Sequence, residues 1–241
     1  MPLSTPDVWY RCDEASGNLI DQMGVYDATD NGTIGSTSGV ISGARSFNGS
    51  TQYGRVTNPS IVNYAPLSVT LWCHLNSLSA NTSLFGRWHA NGPGGDLLGW
   101  LILVTVSGSA FFLCRDNVSG LVFYAETPTG LVTTGSTYHL AAKMDSGTSI
   151  SIWVNGTKYT PSTSAFGAPY AGEDLSIGSG LNNSSIADPL NGWLDLIGAY
   201  SYDFSDADVA TLWNGGAGFD PTAPAGVVIP VFMARARQMV A

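Results

Sequence analysis

Residues 68–75 read Ser68-Val69-Thr70-Leu71-Trp72-Cys73-His74-Leu75. Val69, Leu71, Cys73 and Leu75 recur at every second position, the period of a strand with one face on a core. The other face carries Thr70, Trp72 and His74, so both faces are expected to be partly covered. Farther along, Ile150-Ser151-Ile152-Trp153-Val154 runs into Asn155-Gly156 and then Thr157-Lys158-Tyr159. Asn-Gly tolerates the positive φ that a type I′ turn needs at both central positions, so this is a two-residue hairpin. Tyr138 to Met144 reads as the preceding strand and Asp145-Ser146-Gly147 as its turn, which makes a three-strand meander.

Working outward, short alternating runs separated by Gly, Asn and Ser clusters continue from Val8 to about Tyr202, with no internal repeat. The 241 residues are only 11% charged, where about 25% is usual, so Gly, Ser, Thr and Asn must supply the polarity. That composition suits many tight turns between short strands, and the expected fold is all-β, a sandwich or barrel over residues 1–220. One helix is expected at about Asp206 to Asn214. Ser205 caps it, Phe204 and Val209 staple it, Gly215 and Gly216 end it, and Val209, Leu212 and Trp213 pack on the sandwich. Pro221 to Gly226 then reads as a linker. Val227 to Ala241 is apolar with Arg235 and Arg237 but no acid, so residues 221–241 are a tail distinct from the sandwich, suited to an assembly contact.

A net charge of -9 repels phosphate backbones and anionic lipid heads, which argues against nucleic acid and membrane surfaces as partners. The start has no basic segment followed by an apolar one, so no secretory signal is expected, and no run approaches a membrane span. Cys12, Cys73 and Cys114 lack metal-ligand spacing and read as buried free thiols. Of the 18 acids only Glu14, Glu126 and Glu173 are Glu. An Asp-rich balance serves solubility, or calcium binding in turns.

Two segments carry the parts of a sugar site, a flat ring with polar groups beside it. In the loop expected at 87–96, Trp88 offers a stacking face and His89, Asn91 and Asp96 offer polar groups; the alternative is a packed Trp. In the long polar loop expected at 178–192, Asn182, Asn183 and Asp188 are the candidates, with Tyr170 as a neighbouring ring if the loops converge. His74 and His139 read as histidines hydrogen-bonded within the sandwich.

The order of the landmarks resembles the laminin-G-like domains of the concanavalin A-like lectin/glucanase superfamily. The likeness rests on Trp9 to Gly17, the Gly43-Ala44-Arg45-Ser46-Phe47-Asn48-Gly49 turn, Ser68 to Trp72, Tyr138 to Ala141, Trp153 to Thr157, Leu175 to Gly178 and Asn191 to Asp195. It implies a jelly-roll sandwich of two antiparallel sheets with a face and rim loops suited to glycans or protein partners. It also implies one structural calcium ion, at Asp13, the carbonyl region of Gly49, and Asp195. The alternative for the two aspartates is turn capping or pairing with arginine. The superfamily's glucanases set paired carboxylates on one strand with a Glu-x-Asp-x-Glu pattern, and this sequence has none, so no catalysis is expected. The ending Leu212 to Gly218 looks like that of laminin-G-like domains often encoded by bacteriophages. This implies a non-catalytic capsid-decoration or tail-fibre adhesion domain at a virion surface, held to other subunits or to its own copies through residues 221–241. The alternatives are a free extracellular lectin module, and less so a glycoside hydrolase.

Overall fold

The computed structural model describes residues 3–61, 66–92, 96–115, 122–145, 149–159, 173–182 and 185–223. Along the chain the strands are β1 (Val8–Tyr10), β2 (Thr29–Asn31), β3 (Gly35–Ser38), β4 (Gly43–Asn48), β5 (Tyr53–Val56), β6 (Leu67–Leu75), β7 (Thr82–Gly92), β8 (Asp96–Val104) and β9 (Ala110–Arg115). They continue as β10 (Val122–Glu126), β11 (Thr137–Met144), β12 (Ile150–Val154), β13 (Thr157–Tyr159), β14 (Leu175–Ile177), β15 (Gly180–Asn182), β16 (Ser185–Ala187) and β17 (Asn191–Tyr200), before helix α1 (Asp206–Trp213). Two sheets result, in the orders β13-β12-β11-β6-β17-β4-β3 and β10-β9-β8-β7-β14-β5-β2. β1 joins the first on β17, and the β15–β16 hairpin joins the second on β7. Among the described residues the strand pairs are antiparallel apart from one parallel bridge, Leu181 to His89, so the sandwich expected from the alternating runs is the fold observed.

β6 lies at the centre of its sheet because it can bury both faces. Val69, Leu71, Cys73 and Leu75 enter the core between the sheets, with Leu194, Ile197 and Ala199 of β17 and Phe85, Trp100, Ile102, Phe112 and Ile177 from the opposing sheet. The three cysteines are buried free thiols. On the other face, Trp72 packs with Trp9, Trp153, Tyr200, Phe204, Val209 and Leu212 beneath α1. Thr70 Oγ1 lies 2.8 Å from His139 Nε2 there, and burial pushes His139 down to about 3, which keeps its ring neutral.

The helix forms as its capping residues dictate. Ser205 and Asp208 complete a capping box, and Trp153 Nε1 donates to Asp206 Oδ1 at 3.1 Å. The left-handed residue that ends it is Asn214, at φ 48, ahead of the expected Gly215 and Gly216. A helix this short is unstable alone, so its packing holds it in place. Leu212→Ala is therefore expected to lower unfolding stability by about 2–4 kcal/mol in denaturant titration. A loss below about 1 kcal/mol would place α1 outside the cooperative unit.

One local expectation changes. Gly43 to Asn48 is strand β4 instead of a turn, paired on both sides, with β3 and with β17; the left-handed residue follows it at Gly49. The Asn155-Gly156 hairpin forms as expected, with φ of 49 and 78.

Candidate functional site

The expected 87–96 loop is a strand hairpin. Trp88, His89 and Asn91 lie on β7, and Asp96 opens β8. The segment looks like a loop because of its Asn, Gly and Pro. However, Gly99 lets β8 approach so closely that a Cβ there would collide with Arg87 O, and the ladder runs on to Gly92. Arg87 anchors this hairpin, donating from Nη1 to Ile61 O at 2.8 Å and from Nε to Glu173 O at 3.0 Å. Trp88, half-buried opposite Gly99, lies on the outer face of that sheet. The side chains of His89, Asn91, Asp96 and Asn182, and the whole of Tyr170 and Asn183, lie outside the described residues.

The expected 178–192 loop is largely the β15–β16 hairpin followed by the start of β17. Its Leu181 pairs with His89, which sets the backbones of the two candidate segments side by side. Asp188 is exposed at a left-handed position after β16, and partial desolvation raises its carboxyl.

The calcium trio is brought together only in part. Asp195 is fully buried beside a bulge in β17, where Leu196 takes φ 47. Its Oδ2 accepts from the backbone N–H groups of Val40 (2.7 Å) and Ile41 (3.3 Å), in the β3–β4 turn. Its Oδ1 has no hydrogen-bond partner. Asp13 Oδ1 accepts from Gly43 N at 2.9 Å, and Asp13 Oδ2 lies 3.3 Å from Arg11 Nε. Burial, opposed by the backbone hydrogen bonds from Val40 and Ile41 and reinforced by the Asp13 charge, pushes Asp195 up to about 7. Gly49 sits at the far end of β4, with its N–H on Leu190 O. Among the described residues no three His, Cys, Asp or Glu side chains converge. The unpartnered Oδ1 and the second carboxylate are the groups that could hold a hard cation there, without Gly49. It would neutralise the pair and cross-link the N-terminal segment to β17.

A further surface lies on the half of the first sheet that α1 leaves open. β6 and β17 pair His74 with Trp193, and the rings stack with centroids 5.4 Å apart at 4°. Both are half-buried, and His74 Nδ1 lies 3.3 Å from Thr137 Oγ1. A hollow opens on each side of Trp193. One, of about 500 Å³, runs along β3 and β4 and is lined by groups such as Thr37, Ser46, Gln52 and Asn76. The other, of about 460 Å³, lies against the end of α1 between Trp72, Thr137, Asn155 and Trp213. Each is in the volume range of small-ligand sites. A flat ring held rigidly by cross-strand stacking, with hydroxyls and amides on both sides, is chemically a platform for a polyhydroxylated ligand. The sequence reading has Trp193 only in the Asn191 to Asp195 motif of the family resemblance, and His74 on the Trp72 face. It missed their pairing, because strand register is a long-range property.

A family model described as the concanavalin A-like lectin/glucanases superfamily matches residues 48–210. No curated protein matches. Among solved structures, domain 4 of an extracellular arabinanase from Geobacillus stearothermophilus, in complex with arabinotriose, is similar at TM-score 0.66 and 20% identity, over 90% of this chain and 100% of that one. The CBM40 of the Ruminococcus gnavus IT-sialidase, bound to α2,3 sialyllactose, gives TM-score 0.54 and 16% identity over 61% and 81%. The botulinum neurotoxin serotype D binding domain gives 0.65 and 12% over 88% and 52%.

Proposed function

The chain belongs to the concanavalin A-like lectin/glucanase superfamily, and on that footing we propose that it is a non-catalytic glycan-binding domain whose platform is Trp193. The observation that carries this reading is the stacked Trp193–His74 pair between two hydrogen-bonding hollows. Two of its structural neighbours are described in complex with arabinotriose and with sialyllactose, which supports a sugar as the ligand class. The described lining of each hollow contains no carboxylate, whereas glycoside hydrolysis needs two.

The test is a glycan array with the full chain and with Trp193→Ala. Truncating a central aromatic anchor typically removes 2 kcal/mol or more, so a loss of at least about 30-fold in affinity is expected. The unfolding midpoint should stay near the wild-type value, because Trp193 is already half-exposed. If Trp88→Ala abolishes binding and Trp193→Ala does not, the site is on the opposite sheet.

The finer part of the proposal is attachment to a virion through residues 221–241, of which 224–241 lie outside the described residues. The expected outcome is that the full chain assembles, by native mass, while the same chain ending at Asp220 is a folded monomer. Equal masses would remove self-assembly through the tail. Calcium at Asp13 and Asp195 is proposed as a structural brace.

A further inference from the structure

We infer that the Trp193 platform takes an internal stretch of a neutral glycan, with at least one sugar unit in each hollow, and that it discriminates against acidic sugars. This deepens the glycan-binding reading and rests on it. The two hollows share Trp193 and no other lining residue. The indole is therefore a ridge between two depressions, not the back wall of one, and neither depression is closed around a chain end. A single sugar stacked on the ridge would leave one hollow filled with water, whereas a chain crossing it places hydroxyls against both sets of polar groups.

The charge preference follows from the lining. On the β3–β4 side it is Ser, Thr, Asn and Gln with Gly, Phe47 and Trp193. On the α1 side it is Thr137 and Asn155 with Gly, Val40 and three tryptophans. No Lys, Arg, Asp or Glu stands in either described lining. A sialic or uronic acid carboxylate entering such a hollow gives up hydration without an ionic partner, which costs more than a neutral hydroxyl that finds an amide or hydroxyl. The chain's net charge of -9 adds long-range repulsion of the same sign.

The experiment uses the full chain on neutral oligosaccharides of increasing length and on their sialylated or uronic-acid counterparts, with affinities then measured by calorimetry. Lactose against α2,3 sialyllactose, and arabinose against arabinotriose, are included as explicit probe pairs. Neutral chains of two or more units should bind at least about tenfold more tightly than their monosaccharide, and at least about tenfold more tightly than the acidic counterpart. Thr37→Leu fills the hollow beside β3 and Thr137→Leu the one beside α1. Both positions are exposed on strands, so a folded protein is expected, checked by its unfolding midpoint. Each should cost the oligosaccharide roughly tenfold, the value of one or two hydrogen bonds, with little effect on the monosaccharide. Monosaccharide binding equal to that of the oligomer, equal binding of acidic sugars, or indifference to either leucine variant overturns the inference while leaving glycan binding intact. Failure of every glycan to bind overturns the glycan-binding reading itself, and this inference with it.

Discussion

Between about pH 4 and pH 7, in chelator, the folded protein is expected to lose stability as the pH rises, by on the order of 4 kcal/mol from Asp195 alone. The carboxyl is fully buried, and its burial raises it from the ordinary range to about 7. In that interval the native state holds a proton that the unfolded chain has released, so each increment of pH favours unfolding. The contribution is complete below the unfolded value and gone once the pH passes the folded one. Asp188 and Asp203 are also raised by desolvation and act in the same direction.

Asp195→Asn keeps an oxygen for the Val40 and Ile41 amides and removes the ionisation. It should therefore flatten most of the slope and leave the variant more stable than the wild type above about pH 7. Denaturant midpoints across the pH range measure both effects, and an unchanged slope in the variant would show that the titration lies elsewhere. Calcium separates the two possible states of the pair. An ion held by Asp13 and Asp195 requires both to be ionised, so it should raise the wild-type midpoint at alkaline pH and leave the Asn variant unmoved. The same response in both proteins would take calcium away from this pair.

Arg45→Ala is expected to cost about 3 kcal/mol, because it leaves two partly buried carboxylates and several carbonyls without their buried cation. The side chain is fully buried. Its Nε donates to Gly35 O at 3.1 Å, and Nη2 donates to Gly17 O at 2.8 Å and Ile34 O at 3.0 Å. Asp30 lies 3.5 Å from Nη2 and Glu14 3.7 Å from Nη1. One planar fork thus ties the N-terminal segment, β2 and the approach to β3 to β4. Arg45→Lys retains the charge but not the fork, so it should recover less than half of the loss. Denaturant unfolding reads the cost, and a change within about 1 kcal/mol for the Ala variant would show that the N-terminal segment is not part of the cooperative unit.

Much of the architecture was legible because it is local. The period of Val69, Leu71, Cys73 and Leu75, the Asn155-Gly156 turn and the Ser205 cap each need only a few neighbouring residues, and each appears in the fold. The candidate site was less legible because it is assembled from a distance. Nothing near Trp193 in the sequence announces that His74 will lie against it, since that depends on the register of β17 on β6. Asp195 is similar, because its surroundings come from the amides of the β3–β4 turn. In the 87–96 segment, turn-forming residues concealed a strand that the neighbouring β8 stabilises. Arg45 reads in sequence as one residue of a turn, and only the folded chain shows the carbonyls that surround it.

The pairing of β1 with β17, which sets Val8 opposite Ala199, governs how this protein is made. A ribosome must deliver about 190 further residues before the first strand meets its partner, so this ladder cannot zip as the chain emerges. β6 waits for the same strand on one side. Until then the nascent chain carries unpaired edges and apolar faces, the conditions that slow the folding of all-β proteins and recruit chaperones.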